Sequence, residues 1–182
     1  MKRICIFLSG YVTDEKYAGP AKEFARLMCQ HDYGLVWGGT NLGLMQIVCE
    51  TVQENGGNLC GVTMEMLKDT RKLDADEMII AKDLSERKKL LLEKSDAIVV
   101  MVGGIGTLDE ATEVLELKKH GAHNKPIVFL NTDNFYGGLK SQLEKMEREG
   151  FLPKRLSELT YFAAAPYDAI SFIEKELSLN KV

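Results

Sequence analysis

Short, nearly unbroken apolar runs alternate along the chain with longer stretches of helical periodicity. The runs Arg3–Leu8, Gly34–Trp37, Asn58–Thr63, Ala97–Val102 and Pro126–Leu130 predict strands, with fainter candidates at Met78–Ala81 and Leu159–Ala163. Continuous apolar runs of this kind suit strands buried on both faces rather than strands with one wet face. Between them the periodicity predicts helices over Ala18–Gln30, Leu42–Asn55, Ser85–Lys94, Leu108–His120, Gly138–Glu149 and Ala169–Leu177. Strands alternating with helices imply βαβ units with right-handed crossovers. The expected fold is therefore α/β, an open doubly wound parallel sheet of Rossmann type flanked by helices.

Local punctuation supports these cuts. Gly56-Gly57 and Gly121 stand just past predicted helix ends, where a left-handed residue commonly closes a helix. Lys125-Pro126 opens a strand, a position that tolerates a missing N–H. The segment Glu65–Glu77 is charged and irregular, and reads either as a mobile loop over a ligand crevice or as a solvated connection. Leu179–Val182 is expected to fray. There is no repeat, linker or low-complexity segment, so the 182 residues read as one domain over residues 1–182.

Composition narrows the classes of partner. A content of 45% hydrophobic and 27% charged residues is ordinary globular usage and excludes disorder. The net charge of -4 disfavours binding that rests on neutralising a nucleic-acid backbone, so no nucleic-acid partner is expected. One small phosphate site stays open, because backbone N–H groups can supply it. No apolar stretch is long enough for a membrane span. The run Ile4–Leu8 is too short for a signal-peptide core, so a cytoplasmic protein is expected. Cys5, Cys29, Cys49 and Cys60 form no CxxC pair and sit in apolar runs, as reduced core thiols do. His31, His120 and His123 lack metal spacing, and His120 and His123 suit a helix end or solvent; neither a metal nor a cofactor is called for.

Ligands of doubly wound sheets bind beyond the carboxyl ends of the strands, at the point where strand order switches. Three turns there carry small residues. Ser9-Gly10 follows the first strand, with a hydroxyl and an open backbone. Gly38-Gly39-Thr40-Asn41-Leu42-Gly43 follows the second; its glycines allow close ligand approach, Thr40 or Asn41 can cap the helix, and Gly43 implies that a side chain there would block something. Gly103-Gly104-Ile105-Gly106-Thr107 follows the most apolar strand and leaves amides uncovered at a helix N-terminus, which suits a phosphate. It is neither a Walker A loop nor the dinucleotide fingerprint, so a mononucleotide is the natural guest. Glu110 has two readings. Thr107-Leu108-Asp109-Glu110 fits a capping box; alternatively the carboxylate enters the crevice and meets a sugar. Asp83 with Glu86 also fits a capping box, and it places Arg87, a cation, near the start of the next helix, against the helix dipole.

Together these residues resemble the Lonely Guy family of cytokinin riboside 5′-monophosphate phosphoribohydrolases. The similarity rests on Gly38–Met45, on Glu86-Arg87-Lys88 and on Gly103–Glu110, and it runs from about Arg3 to Phe172, taking in Asn124-Lys125-Pro126 and Asn131–Leu139. It implies a Rossmann-like fold, a homodimer or higher oligomer, and hydrolysis of the N-glycosidic bond of a nucleoside 5′-monophosphate. By that resemblance Arg87 and Glu110 match the catalytic pair. Gly103, Gly104, Gly106 and Thr107 match the phosphate loop, with Ser9, Gly10, Gly38, Gly39, Thr40, Arg87 and Lys88 as further substrate contacts. Val102 stands where the family usually has Pro, Thr40 where it has a third glycine, Gln46 where glycine follows Leu-Met, and Leu84 where Met is common. The changes at Thr40 and Gln46 leave base and ribose specificity open.

The leading expectation is a hydrolase. It would cleave a purine nucleoside 5′-monophosphate, AMP-like or N6-substituted, to free base and ribose 5-phosphate. The rival is a non-catalytic nucleotide-binding or molybdenum-cofactor carrier protein of the same fold. Amino-acid decarboxylation would need a Schiff-base lysine, and no motif marks one.

Overall fold

A computed structural model of the chain describes residues 1–11 and 14–179. Seven strands, β1 (Arg3–Phe7), β2 (Gly34–Trp37), β3 (Leu59–Met64), β4 (Glu77–Ala81), β5 (Ala97–Val100), β6 (Ile127–Leu130) and β7 (Tyr161–Ala163), form one sheet in the order β4-β3-β2-β1-β5-β6-β7. Every pairing is parallel. The helices are α1 (Glu15–Gln30), α2 (Gly43–Glu54), α3 (Leu84–Glu93), α4 (Ile105–Lys119), α5 (Gly137–Arg148), α6 (Leu156–Leu159) and α7 (Pro166–Leu179). No helix among the described residues is long and apolar enough to cross a membrane.

Side chains alternate across a strand, and here both sets are buried. Ile4, Ile6, Leu35, Trp37 and Val99 pack under α1, α2 and α7, with Phe24, Val48 and Ile170 supplying the helix side. Cys5, Val36, Val62, Ile98 and Phe129 pack on the other face against Leu91 of α3 and Ala111 and Val114 of α4. This two-sided burial is why the strands read as continuous apolar runs. The cysteines are free thiols; Cys5, Cys49 and Cys60 are buried, and burial pushes Cys49 and Cys60 up to about 11.

Several boundaries move. The first helix starts at Glu15, not Ala18, because Asp14 caps it by accepting the Lys16 N–H at 3.0 Å, and Pro20 sits inside it. The last helix starts at Pro166, the first helical position that proline favours. The expected strand from Leu159 is delayed by the one-turn α6 and begins at Tyr161. Leu179 closes α7 rather than fraying, while residues 180–182 lie outside the described part. Gly56 and Gly121 take φ of 71° and 77° just past their helices, as left-handed closing residues.

Strand order reverses around β1. The chain winds outward from β1 through β2 and β3 to β4, then α3 carries it back to β5 on the other side of β1. The carboxyl ends of β1 and β5 are therefore neighbours, and the turns that leave them diverge to either side of the sheet. This is the crevice in which such sheets bind ligands.

Candidate active site

A cleft of about 570 Å³ opens at this switch point, walled by Ser9, Gly10, Val102 and the start of α4 and floored by Arg87 and Glu110. Its volume lies in the range of small-molecule sites.

The floor is a buried ion pair. Arg87 donates to Glu110 Oε1 at 2.5 Å, and its Nε–H donates to the Val62 carbonyl at 3.0 Å. Both side chains are 9% exposed. Asp83 caps α3 by accepting the Glu86 N–H at 2.8 Å, and Glu86 reaches back to the Lys82 N–H at 2.7 Å. This capping fixes the first turn of α3 and with it the position of Arg87. A side chain on Gly38 would overlap the guanidinium, so that glycine seats Arg87 rather than a ligand. Burial pushes the Glu110 carboxyl above the ordinary glutamate range, while the facing Arg87 pulls it back. Such a pair is weak evidence for stability, because desolvation offsets much of its attraction. A perturbed carboxyl in a cleft marks a candidate catalytic group.

The capping-box reading of Thr107–Glu110 is overturned. Helix α4 begins at Ile105 with Gly104 as its N-cap and no side-chain cap. Glu110 therefore sits in the second turn, not at N3, and its partner is Arg87 rather than a backbone amide. The first main-chain bond of the helix joins the Leu108 N–H to the Gly104 carbonyl at 3.0 Å. The amides of Ile105, Gly106 and Thr107 thus have no intrahelical partner. All three residues, with Gly104 before them, border the cleft, and side-chain cover is slight: Cβ atoms added to Gly104 and Gly106 would meet nothing within 4 Å. Gly103 differs, since a Cβ there would overlap the Thr107 side chain.

The first turn contributes directly to the cleft. Ser9 N–H donates to the Val102 carbonyl at 3.1 Å, and the Ser9 carbonyl accepts the Met45 N–H at 3.2 Å, so the turn is tied to β5 and α2. Ser9 Oγ accepts the Tyr11 N–H at 2.9 Å, which leaves its own proton available to a ligand.

The second glycine turn does not reach the cleft. Gly39, with φ of 76°, packs on Thr63 and Met78. The Thr40 carbonyl accepts the Trp37 indole N–H at 3.1 Å. Neither Thr40 nor Asn41 caps α2; its N-cap is Leu42, without a side-chain bond. What a side chain on Gly43 would block is the backbone of Gly10 and Tyr11, so that glycine serves the meeting of two turns. The Glu65–Glu77 segment covers this second turn instead of the cleft. It forms a 3-10 turn over Glu65–Thr70, Asn41 N–H donates to Thr70 at 2.7 Å and Lys72 N–H to Gly39 at 2.9 Å. Lys88 is also turned away, bonding Asp109 at 3.0 Å and pairing with Glu113, which ties α3 to α4. Among the described residues no group of three or more His, Cys, Asp or Glu gathers as metal ligands. His120 caps the end of α4 and contacts Glu116, and His123 contacts the Val114 carbonyl.

Tyr17, Leu44, Met45 and Phe135 also line the cleft, and sequence reasoning missed them. Nothing in an aromatic or aliphatic residue distinguishes a cleft wall from a core; the available signal was that Phe135 follows the carboxyl end of a strand.

The family described as "Possible lysine decarboxylase" matches residues 45–173, more than half of the chain. A cytokinin riboside 5′-monophosphate phosphoribohydrolase of Arabidopsis thaliana is 33% identical over 169 residues, 91% of this chain and 73% of that protein. A probable one from Oryza sativa subsp. japonica is 35% identical over 177 residues, 96% of this chain and 77% of that protein. The chain belongs to the Lonely Guy family.

Solved structures similar to this Lonely Guy chain include a molybdenum cofactor carrier protein of Chlamydomonas reinhardtii, at 26% identity and a TM-score of 0.71 over 98% of this chain and 99% of that one. The molybdenum cofactor binding protein of Rippkaea orientalis shares the fold, at 21% identity and a TM-score of 0.75 over 97% and 98% of the two chains. Of this chain's departures from the Lonely Guy pattern, Val102 borders the cleft and accepts the Ser9 N–H. Thr40 and Gln46 do not line the cleft; Gln46 donates to Glu50 on its own helix at 2.8 Å.

Proposed function

We propose that this protein hydrolyses the N-glycosidic bond of a purine nucleoside 5′-monophosphate, releasing the base and ribose 5-phosphate. The observation that carries the reading is the buried Arg87–Glu110 pair at the floor of a cleft whose rim holds the free amides of α4. The activity named for the relatives from Arabidopsis thaliana and Oryza sativa supports it.

In this reading the phosphate sits on the N-terminal amides of α4, where the helix dipole favours an anion. Anchoring that end supplies orientation. Cleavage of the C1′–N bond builds an oxocarbenium-like centre on the ribose, as in glycoside cleavage. Ionised Glu110 stabilises that centre and orients the attacking water through the sugar hydroxyls. Arg87 keeps the carboxylate charged and in place in a site where burial alone would protonate it. Water oxygen bonds to C1′, and the base departs with the bonding electrons and takes a proton. Ser9, Gly104, Gly106 and Thr107 complete the phosphate end. Gly38, Gly39, Thr40 and Lys88 act behind the site.

The test is incubation with AMP and with adenosine, reading released adenine by chromatography. AMP is expected to be cleaved and adenosine barely, because the α4 amides find no partner on a nucleoside. Comparable turnover of both removes the phosphate assignment. The carrier reading, favoured by the molybdenum cofactor carrier neighbours, predicts nucleotide retention without release of base. A homodimer or larger assembly belongs to the same proposal: light scattering should return about twice the 20.4 kDa chain mass or more.

A further inference from the structure

The Asn131–Gly137 turn after β6 is unusually constrained for a surface connection. Asp133 and Asn134 both adopt left-handed backbone, with φ of 52° and 54°. Two consecutive non-glycine residues in that region are costly. The turn is held there by specific bonds. Asn131 accepts the Tyr136 N–H at 2.7 Å and donates to Asn134 at 3.2 Å, while a side chain on Gly137 would overlap the Asn134 amide. Lys16 at the start of α1 bonds Asp133 at 2.5 Å. Tyr136 is anchored from below, its hydroxyl donating to the Met101 carbonyl at 2.7 Å.

The product of this geometry is the placement of Phe135. The residue is 45% exposed yet lines the cleft. It meets Tyr136 edge-on at 5.0 Å and Tyr17, another cleft residue, edge-on at 5.9 Å. The cleft is otherwise poor in groups that could read a base. Among the described residues its polar side chains are Ser9, Tyr11, Tyr17, Arg87, Thr107 and Glu110. None of these is an amide, and the carboxylate and cation among them are spent on each other. Such a wall recognises the face of an aromatic ring, not its hydrogen-bonding edge.

Resting on the nucleotide reading above, we propose that Phe135, braced by Tyr17, is the base-stacking residue of this site. Specificity then follows ring area, and the site accepts purines with different edges.

Steady-state kinetics on the intact protein test this, with AMP and IMP as substrates and ribose 5-phosphate as competing product. Phe135→Ala should raise KM for AMP by about tenfold, within the range that base–aromatic stacking carries, and leave the ribose 5-phosphate inhibition constant unchanged. Phe135→Trp should restore KM. In the wild type, kcat/KM for AMP and IMP should lie within about fivefold of each other. Phe135→Leu keeps an apolar side chain without the ring and should also raise KM; it stands in should the alanine variant fail to fold. An unchanged KM, a parallel loss of ribose 5-phosphate affinity, or a hundredfold preference between AMP and IMP overturns the stacking assignment while nucleotide hydrolysis stands. A wild-type protein that cleaves neither nucleotide overturns the underlying reading instead.

Discussion

Glu110 carries the sharpest consequences at the residue scale. On the proposed mechanism Glu110→Gln removes the charge beside the developing cation and keeps the size of the side chain. Turnover should fall by several orders of magnitude, each tenfold corresponding to about 1.36 kcal/mol of transition-state stabilisation. Folding and nucleotide binding should persist, as circular dichroism and calorimetry would check. The wild-type pH profile should agree: the carboxyl lies above the ordinary glutamate range because it is buried. The ionised form is therefore lost at a higher pH than for an exposed glutamate, and the acid limb of kcat/KM should sit correspondingly high. Arg87→Ala should also abolish turnover, and it should destabilise the fold by about 3–5 kcal/mol, since it strands a buried carboxylate; urea denaturation measures that. The double variant should turn over little worse than either single one if the pair acts as a unit.

At the scale of elements, the site depends on where α4 begins. Its glycine-rich start lets the helix open at Ile105 with bare amides facing the cleft. Gly104→Val tests this, because a Cβ added there would meet nothing within 4 Å and Gly104 has a negative φ of -93°. The variant should fold with near-wild-type stability and bind AMP at least tenfold more weakly by calorimetry; unchanged affinity would count against phosphate at these amides. Glycines at equivalent-looking turns do other work here. Gly38 clears room for Arg87, Gly43 for the backbone of Gly10, and Gly103 for Thr107. In sequence all read as ligand-facing, because a glycine records only that a side chain is excluded, not what excludes it.

For the whole molecule, the site and the charge network that holds the sheet lie at opposite edges. Arg3 at the start of β1 bonds Glu77 of β4 at 3.1 Å and Asn58 at 3.2 Å, and Lys94 bonds the same Glu77 at 2.6 Å. Lys94, then Cys60 and Arg3, pull the Glu77 carboxyl down to about 2. A depressed folded value contributes stability that is present above the ordinary glutamate range and lost as pH falls toward about 2. Thermal denaturation followed from pH 7 to pH 3 should therefore show a loss that is smaller in Glu77→Gln. The proposed mechanism depends on a different carboxyl, that of Glu110, so the acid loss of activity should precede the acid loss of fold.

The alternation of apolar runs and helical periodicity by itself determined the parallel α/β sheet, since strands buried on both faces admit few polar positions and parallel strands require crossovers. It also determined that the residues after β1 and β5 matter, and the glycine motifs with Arg87 and Glu110 were enough to bring the family into view. Which small residues face a ligand was decided only by tertiary structure. The Thr107–Glu110 spacing satisfies a capping box on paper, but the helix starts earlier and a buried arginine from another helix, twenty-three residues away, takes the carboxylate. Phe135 and Tyr17 lie far apart in sequence and gain a shared role only because the β6 turn and α1 meet over the cleft. Local patterns encode backbone periodicity and the absence of side chains; contacts between distant turns are set by strand order, which no local window contains.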